Sequence, residues 1–212
     1  MRAALFGICL IVVAACQPLA RQPAQTFSLG ALVLRETFDD ASDWETWRYA
    51  DIRLRVENGG FRITAGQQGY VWSLNDQVHT DVVIEAHTRQ LSAHLNNGYG
   101  VLCRARDNGD GYYFLISGDG YYSIRRGAGR AVQPLVEWEA SAAIQQGMSA
   151  NDLRAVCIGR YLALYVNGLF VAEYEDTAYT QGYPGLTAAA ERGDVDVTFD
   201  DVMIYEASSY GE

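Results

Sequence analysis

YLALYVNGLFVAEY, residues 161–174, holds two six-residue alternating runs on either side of an Asn-Gly pair. Side chains alternate across a strand, so Leu162, Leu164 and Val166 share one face and Tyr161, Ala163 and Tyr165 the other. Asn-Gly accepts the positive φ of a tight hairpin turn. The stretch therefore predicts a β-hairpin with Leu162, Leu164 and Val166 turned to a core.

The same grammar continues outward. Alternating or apolar runs occupy Leu32–Phe38, Ile52–Val56, Phe61–Ala65, Gly69–Leu74, Val82–Leu91, Tyr99–Ala105, Tyr112–Ser117, Tyr121–Arg126, Leu153–Ile158, Gly185–Ala190 and Val195–Tyr205. Turn signals such as Asn58-Gly59-Gly60, Asn97-Gly98, Asn108-Gly109 and Asp119-Gly120 separate them. Only Glu139–Ala150 has room for a helical turn or two. About a dozen strands without βαβ units predict an all-β antiparallel sandwich or barrel. Apolar residues make up 49% of the 212, enough to fill a core. No shift of composition divides the chain, and one domain is expected over residues 31–206, with a short tail at 207–212.

The N-terminus carries an address. MRAALFGICLIVVAAC, residues 1–16, has one positive charge at Arg2 and then an apolar run from Leu5 to Ala15. Eleven apolar residues are too few to span a bilayer, which takes about 20, but suit a signal peptide. Val13-Ala14-Ala15-Cys16 resembles the bacterial lipobox, in which small residues admit the peptidase and the cysteine thiol takes the lipid. A signal peptide over 1–15, lipidation at Cys16 and a polar tether over 16–30, with Pro18 and Pro23, are expected. The domain is then extracytoplasmic and its first partner is the membrane. The formal charge of −10 becomes −11 once Arg2 is removed, and Arg125-Arg126 is the only adjacent basic pair. An acidic surface repels phosphate backbones, so nucleic acid is not an expected partner.

Phe38-Asp39-Asp40 with Trp44, the stretches 96–124 and 153–176, and the closing 182–206 with Phe199-Asp200-Asp201 resemble bacterial concanavalin A-like domains of the laminin G-like group. The resemblance implies a two-sheet antiparallel jelly-roll sandwich, a fold shared by lectins, glucanases and adhesion modules. It also implies that the strands of Cys103 and Cys157 lie side by side and that the two cysteines form a disulfide, which persists outside the cytosol. The resemblance also leaves room for a structural calcium ion, with Asp39, Asp40, Asp200 and Asp201 as the candidate ligands where the end strands would meet; no other cofactor is expected.

The Glu-x-Asp-x-x-Glu strand of the related glucanases is absent. Glu137-Trp138-Glu139 does put two carboxylates on one strand face, but they read as solvated residues flanking an inward Trp. The best binding candidate is a polar sheet face. On it Glu85 and His87 alternate outward with Arg89, Tyr113 and Tyr121 oppose core-facing neighbours, and Arg104 lies between their strands. Flat aromatics that stack on sugar rings, beside charges that fix hydroxyls, suit glycan recognition. A non-catalytic, surface-anchored module that binds a glycan or another ligand is the leading expectation. An accessory subunit of a membrane complex, held by protein contacts, and a glycoside hydrolase are the alternatives.

Overall fold

The computed structural model describes residues 21–39, 44–66, 69–190 and 192–210. Cys16, the signal peptide and Asp40 lie outside them. Among the described residues there are fifteen strands and no helix, arranged as two antiparallel sheets. The first sheet orders β13 (Leu169–Glu175), β12 (Tyr161–Val166), β11 (Ala150–Ile158), β6 (Val82–Gln90), β15 (Val195–Ser209), β4 (Phe61–Ala65), β3 (Ile52–Val56) and β2 (Trp47–Tyr49). Strand β1 (Phe27–Glu36) pairs with the C-terminal half of β15. The second sheet orders β10 (Ala131–Ala140), β9 (Tyr121–Ala128), β8 (Gly111–Ile116), β7 (Gly98–Ala105), β14 (Tyr183–Ala190) and β5 (Gly69–Leu74). This is the concanavalin A-like jelly-roll sandwich.

Its core lies between the sheets. Leu162, Leu164 and Val166 enter it as their alternation predicts, facing residues such as Tyr112, Phe114 and Ile116 of β8. The hairpin turn forms at Asn167 and Gly168, with φ of 51° and 77°, the left-handed pair that a tight hairpin demands.

Four expectations are corrected. The domain begins at Phe27 and its last strand ends at Ser209, because the two termini pair, Phe27 with Ser209, and extend the sheet into the expected tether and tail. Residues 21–26 are not a free tether either. The Ala24 amide donates to Glu173 Oε2 (2.8 Å), Gln25 Nε2 donates to Glu175 Oε1 (3.2 Å), and the Arg21 guanidinium lies 5.9 Å from the centre of the Phe170 ring. Glu139–Ala150 contains no helix; β10 runs to Ala140 and turns follow. Strand β10 escaped the sequence reading because it is a half-exposed edge strand with no apolar run. Pro134, which lacks an N–H, sits within it, and its pairing with β9 slips on either side of Val136.

The fourth correction concerns the cysteines. Cys103 and Cys157 are bridged, with Cα atoms 6.8 Å apart. Their strands are not neighbours: β7 belongs to one sheet and β11 to the other, so the bridge crosses the core. It closes a 54-residue separation and constrains the unfolded chain by about 4 kcal/mol. Reduction is expected to lower the melting temperature of the domain by roughly 10 °C, as scanning calorimetry with and without reductant will show. Alkylation without reductant is expected to label neither thiol.

Candidate functional site

The outer face of the second sheet is unusually apolar for a surface. Alternation in β5 sends Tyr70, Trp72 and Leu74 outward while Val71 enters the core. Leu102 of β7 pairs with Tyr113 of β8, and Leu115 pairs with Ser123 of β9. Leu74, Leu102, Tyr113 and Leu115 form a buried floor, overlaid by half-buried Tyr70, Trp72, Trp138 and Tyr183. The Tyr70 and Tyr113 rings meet edge to face at 5.3 Å. The Tyr113 hydroxyl donates to Gly109 O at 2.6 Å. Burial pushes its pKa well above the ordinary phenol range, so it stays a neutral donor.

Depressions open at both ends of this floor. One, of about 350 Å³, is lined by Glu45, Trp47, Tyr70, Trp72 and Asp107. Through Glu45 and Asp107 it runs into a second, of about 400 Å³, lined also by Asn75, Asp76 and Tyr183. The Trp47 indole N–H donates to Trp72 O (3.3 Å), which fixes one aromatic wall. Asn75 is 1% exposed; its Oδ1 accepts from the Gln77 amide, while its Nδ2 has no partner among the described residues. At the other end a depression of about 300 Å³ is lined by Asn96, Asn97, Ser117, Asp119, Tyr121 and Trp138. Asn97 Nδ2 donates to His94 O (2.8 Å), and its Oδ1 is unpartnered and buried. Buried polar atoms are nearly always hydrogen-bonded, to protein or to ordered water, and these two are among several such atoms in the described residues; what the groove holds open to a ligand is its aromatic walls and the carboxylates of Glu45, Asp76 and Asp107.

The residues singled out in the sequence do not form one site. Tyr113 and Tyr121 lie on this face, Tyr113 as floor and Tyr121 at one rim. Glu85 and His87 do project outward, but from β6 of the opposite sheet. There they line a trough of about 550 Å³ with Arg35, Asp152, Arg154, Asp201 and Met203. Its polar groups are largely bonded to one another: Arg154 Nε donates to Glu85 Oε1 at 2.6 Å, and His87 Nδ1 lies 2.7 Å from Asp152 Oδ1. No Phe, Tyr or Trp lines that trough; its one aromatic ring is the His87 imidazole.

Arg104 is not a surface residue at all. Between Leu102 and Ala105, β7 holds one residue more than the facing stretch of β14, and Arg104 has φ of 52°. This bulge turns its side chain inside, where it is 1% exposed. Nε donates to Thr80 O (2.8 Å), Nη1 to Gly159 O (2.7 Å) and Tyr179 O (3.0 Å), and Nη2 to Asp81 Oδ1 (2.8 Å). Gly182 makes room for it, since a Cβ there would stand 2.4 Å from the Arg104 carbonyl carbon.

Asp200 and Asp201 sit at a kink of β15, where Asp201 has φ of 45° and its amide donates to Asp200 Oδ1 (2.7 Å). Asp39 lies beside the Gly59 turn. Among the described residues no group of three or more His, Cys, Asp or Glu is arranged to hold a metal ion. Glu139 accepts from the Tyr122 hydroxyl (2.8 Å) and Glu137 is exposed, as solvated residues would be. Trp138, expected to point inward, lies instead on the outer face.

No protein-family model and no curated protein matches the sequence. Solved structures do resemble the fold. Carbohydrate binding module CBM66 from Bacillus subtilis superposes with a TM-score of 0.63 at 16% identity, over 78% of this chain and 96% of that one. A galectin-like protein of unknown function from Bacillus subtilis gives 0.64 at 13% identity, over 86% and 99%. The β-glucanase of Bacillus licheniformis gives 0.61 at 8% identity, over 84% and 98%. At these identities the likeness is one of fold.

Replacing Arg104 with Leu leaves three backbone carbonyls and the Asp81 carboxylate without their partner. The expected loss of unfolding free energy in urea titration is about 3–5 kcal/mol. Glu85→Gln, at a half-exposed ion pair, is expected to cost less than about 1 kcal/mol.

Proposed function

We propose that the protein is an exported, lipid-anchored, non-catalytic module that binds a glycan on the outer face of its second sheet. The observation that carries the reading is the pairing of aromatic walls with carboxylates, Trp47, Tyr70, Trp72 and Tyr183 around Glu45, Asp76 and Asp107. A sugar presents an apolar ring face and a rim of hydroxyls. Indole and phenol rings take the first, while Glu45, Asp76 and Asp107 as acceptors take the second. Three carboxylates in the groove favour neutral or amino sugars over sugars that carry carboxylate or sulfate. Fold neighbours that include a carbohydrate binding module support the reading. The trough around Glu85 and His87 is less suited, because Glu85 is paired with Arg154 and His87 with Asp152 and no Phe, Tyr or Trp lines it.

A glycan array with the chain from Arg21 onward, followed by calorimetric titration of the strongest hit, tests this. Trp72→Ala is expected to weaken binding about ten- to hundredfold and Asp107→Ala to weaken it less, whereas Glu85→Gln leaves it unchanged. Binding at background level across the array, or equal sensitivity to Glu85→Gln, defeats the proposal. Hydrolysis of the bound glycan, abolished by Glu45→Gln or Asp107→Asn, makes the protein an enzyme instead.

A further inference from the structure

Residues 21–25 run along β13 from its beginning toward its end. The Arg21 guanidinium donates to Val171 O, the Ala24 amide to Glu173 and the Gln25 side chain to Glu175. Beyond them Phe27 packs edge to face on Tyr165 at 6.2 Å, and Thr26 O accepts from the Tyr210 amide at 3.2 Å. The chain therefore leaves the described residues at Arg21, beside the end of β13 that carries the Asn167-Gly168 turn. Only Gln17–Ala20 stand between Arg21 and the lipobox cysteine. Five residue steps reach at most about 18 Å. Most of the expected tether is thus taken up by contacts with the domain.

That end of the sandwich has the apolar side chains a bilayer surface takes. Leu169, just past the turn, is 56% exposed, and Met148 is 59% exposed. Met148 belongs to the loop before β11, which is tied to the same turn by Asn167 Nδ2 donating to Ala143 O (2.8 Å). The opposite end, at the Gly159-Arg160 turn, is a strand length away, about 20 Å, and Arg160 there pairs with Glu175.

We propose that the docked segment seats the β12–β13 turn, with Leu169 and Met148, against the membrane that holds the Cys16 lipid. The strands then stand upright, and the groove around Asn75 lies toward the end of the domain remote from the bilayer. This rests on the lipid-anchor reading and is independent of glycan binding.

The test uses the full-length lipidated protein in phosphatidylcholine vesicles that carry nitroxide-labelled phosphatidylcholine. Leu169→Cys and, separately, Arg160→Cys are labelled with a thiol-reactive fluorophore, since Cys103 and Cys157 are bonded to each other. Quenching several-fold stronger at position 169 than at 160 is expected. Equal quenching, or stronger quenching at 160, with the acyl mass present on Cys16, overturns the orientation and leaves the anchor standing. Absence of that acyl mass overturns both. A flexible Gly/Ser insertion of about 20 residues between Ala20 and Arg21 is expected to erase the difference. A difference that survives the insertion overturns the role given to the docked segment.

Discussion

The buried guanidinium of Arg104 governs the geometry of this molecule. Burial pulls its pKa below the ordinary value, and the Asp81 carboxylate opposes that. A charge in such a place persists only when its donors are answered, and four acceptors from three separate segments, Thr80-Asp81, Gly159 and Tyr179, answer them. Asp81 Oδ1 also takes the Gly159 amide, at 2.8 Å, so the start of β6 and the β11–β12 turn are tied to the bulge in β7. The Cys103–Cys157 bridge lies one residue away on β7. Together they lock the two sheets at one end, and the register they impose sets Tyr183 opposite Ala105, which shapes one wall of the groove.

Much of the fold was legible because a β-sandwich writes its core in alternation. The 161–174 hairpin, its turn and the inward positions of most strands follow from period two and the tolerance of Asn-Gly for positive φ. Arg104 was illegible for the same reason: a bulge breaks the period by one residue, and nothing in CRAR announces where the extra residue falls. Alternation also states a side chain's face relative to its own strand, not the sheet to which that strand belongs. Glu85 and His87 were rightly read as outward, as was Tyr121, yet they sit on opposite sides of the sandwich. The cysteines were misplaced likewise, since two mid-strand thiols bridge neighbouring strands or opposed sheets with equal ease.

The aromatic face left a signal that went unread. Tyr70, Trp72 and Leu74 at every second position, opposite core-facing Val71, describe a strand apolar on both sides. In an antiparallel sandwich only one of those sides is the core, so the other must be covered or must serve as a surface. Here it is covered in part by its own large rings, and what stays open is rimmed by Glu45, Asp76 and Asp107. The first sheet solves the same problem differently. Its outer apolar cluster of Val83, Val156, Tyr161 and Ala163 is packed by Phe27, Tyr165 and Phe170, and elsewhere the face carries ion pairs such as Glu85 with Arg154 and Glu57 with Arg62.

The two edge strands on one side of the sandwich, β10 and β13, are guarded. Strand β10 carries Pro134 and two slips of register, and β13 lies beside the docked residues 21–25. An unguarded edge offers free N–H and C=O groups to any strand that meets it. Such meetings are rare for a protein diluted in three dimensions. They become frequent when copies share a plane at fixed height and in matched orientation, which is the geometry that favours sheet-to-sheet joining. Under the proposed membrane seating, these guarded strands would keep neighbouring copies from joining along that side of the sandwich.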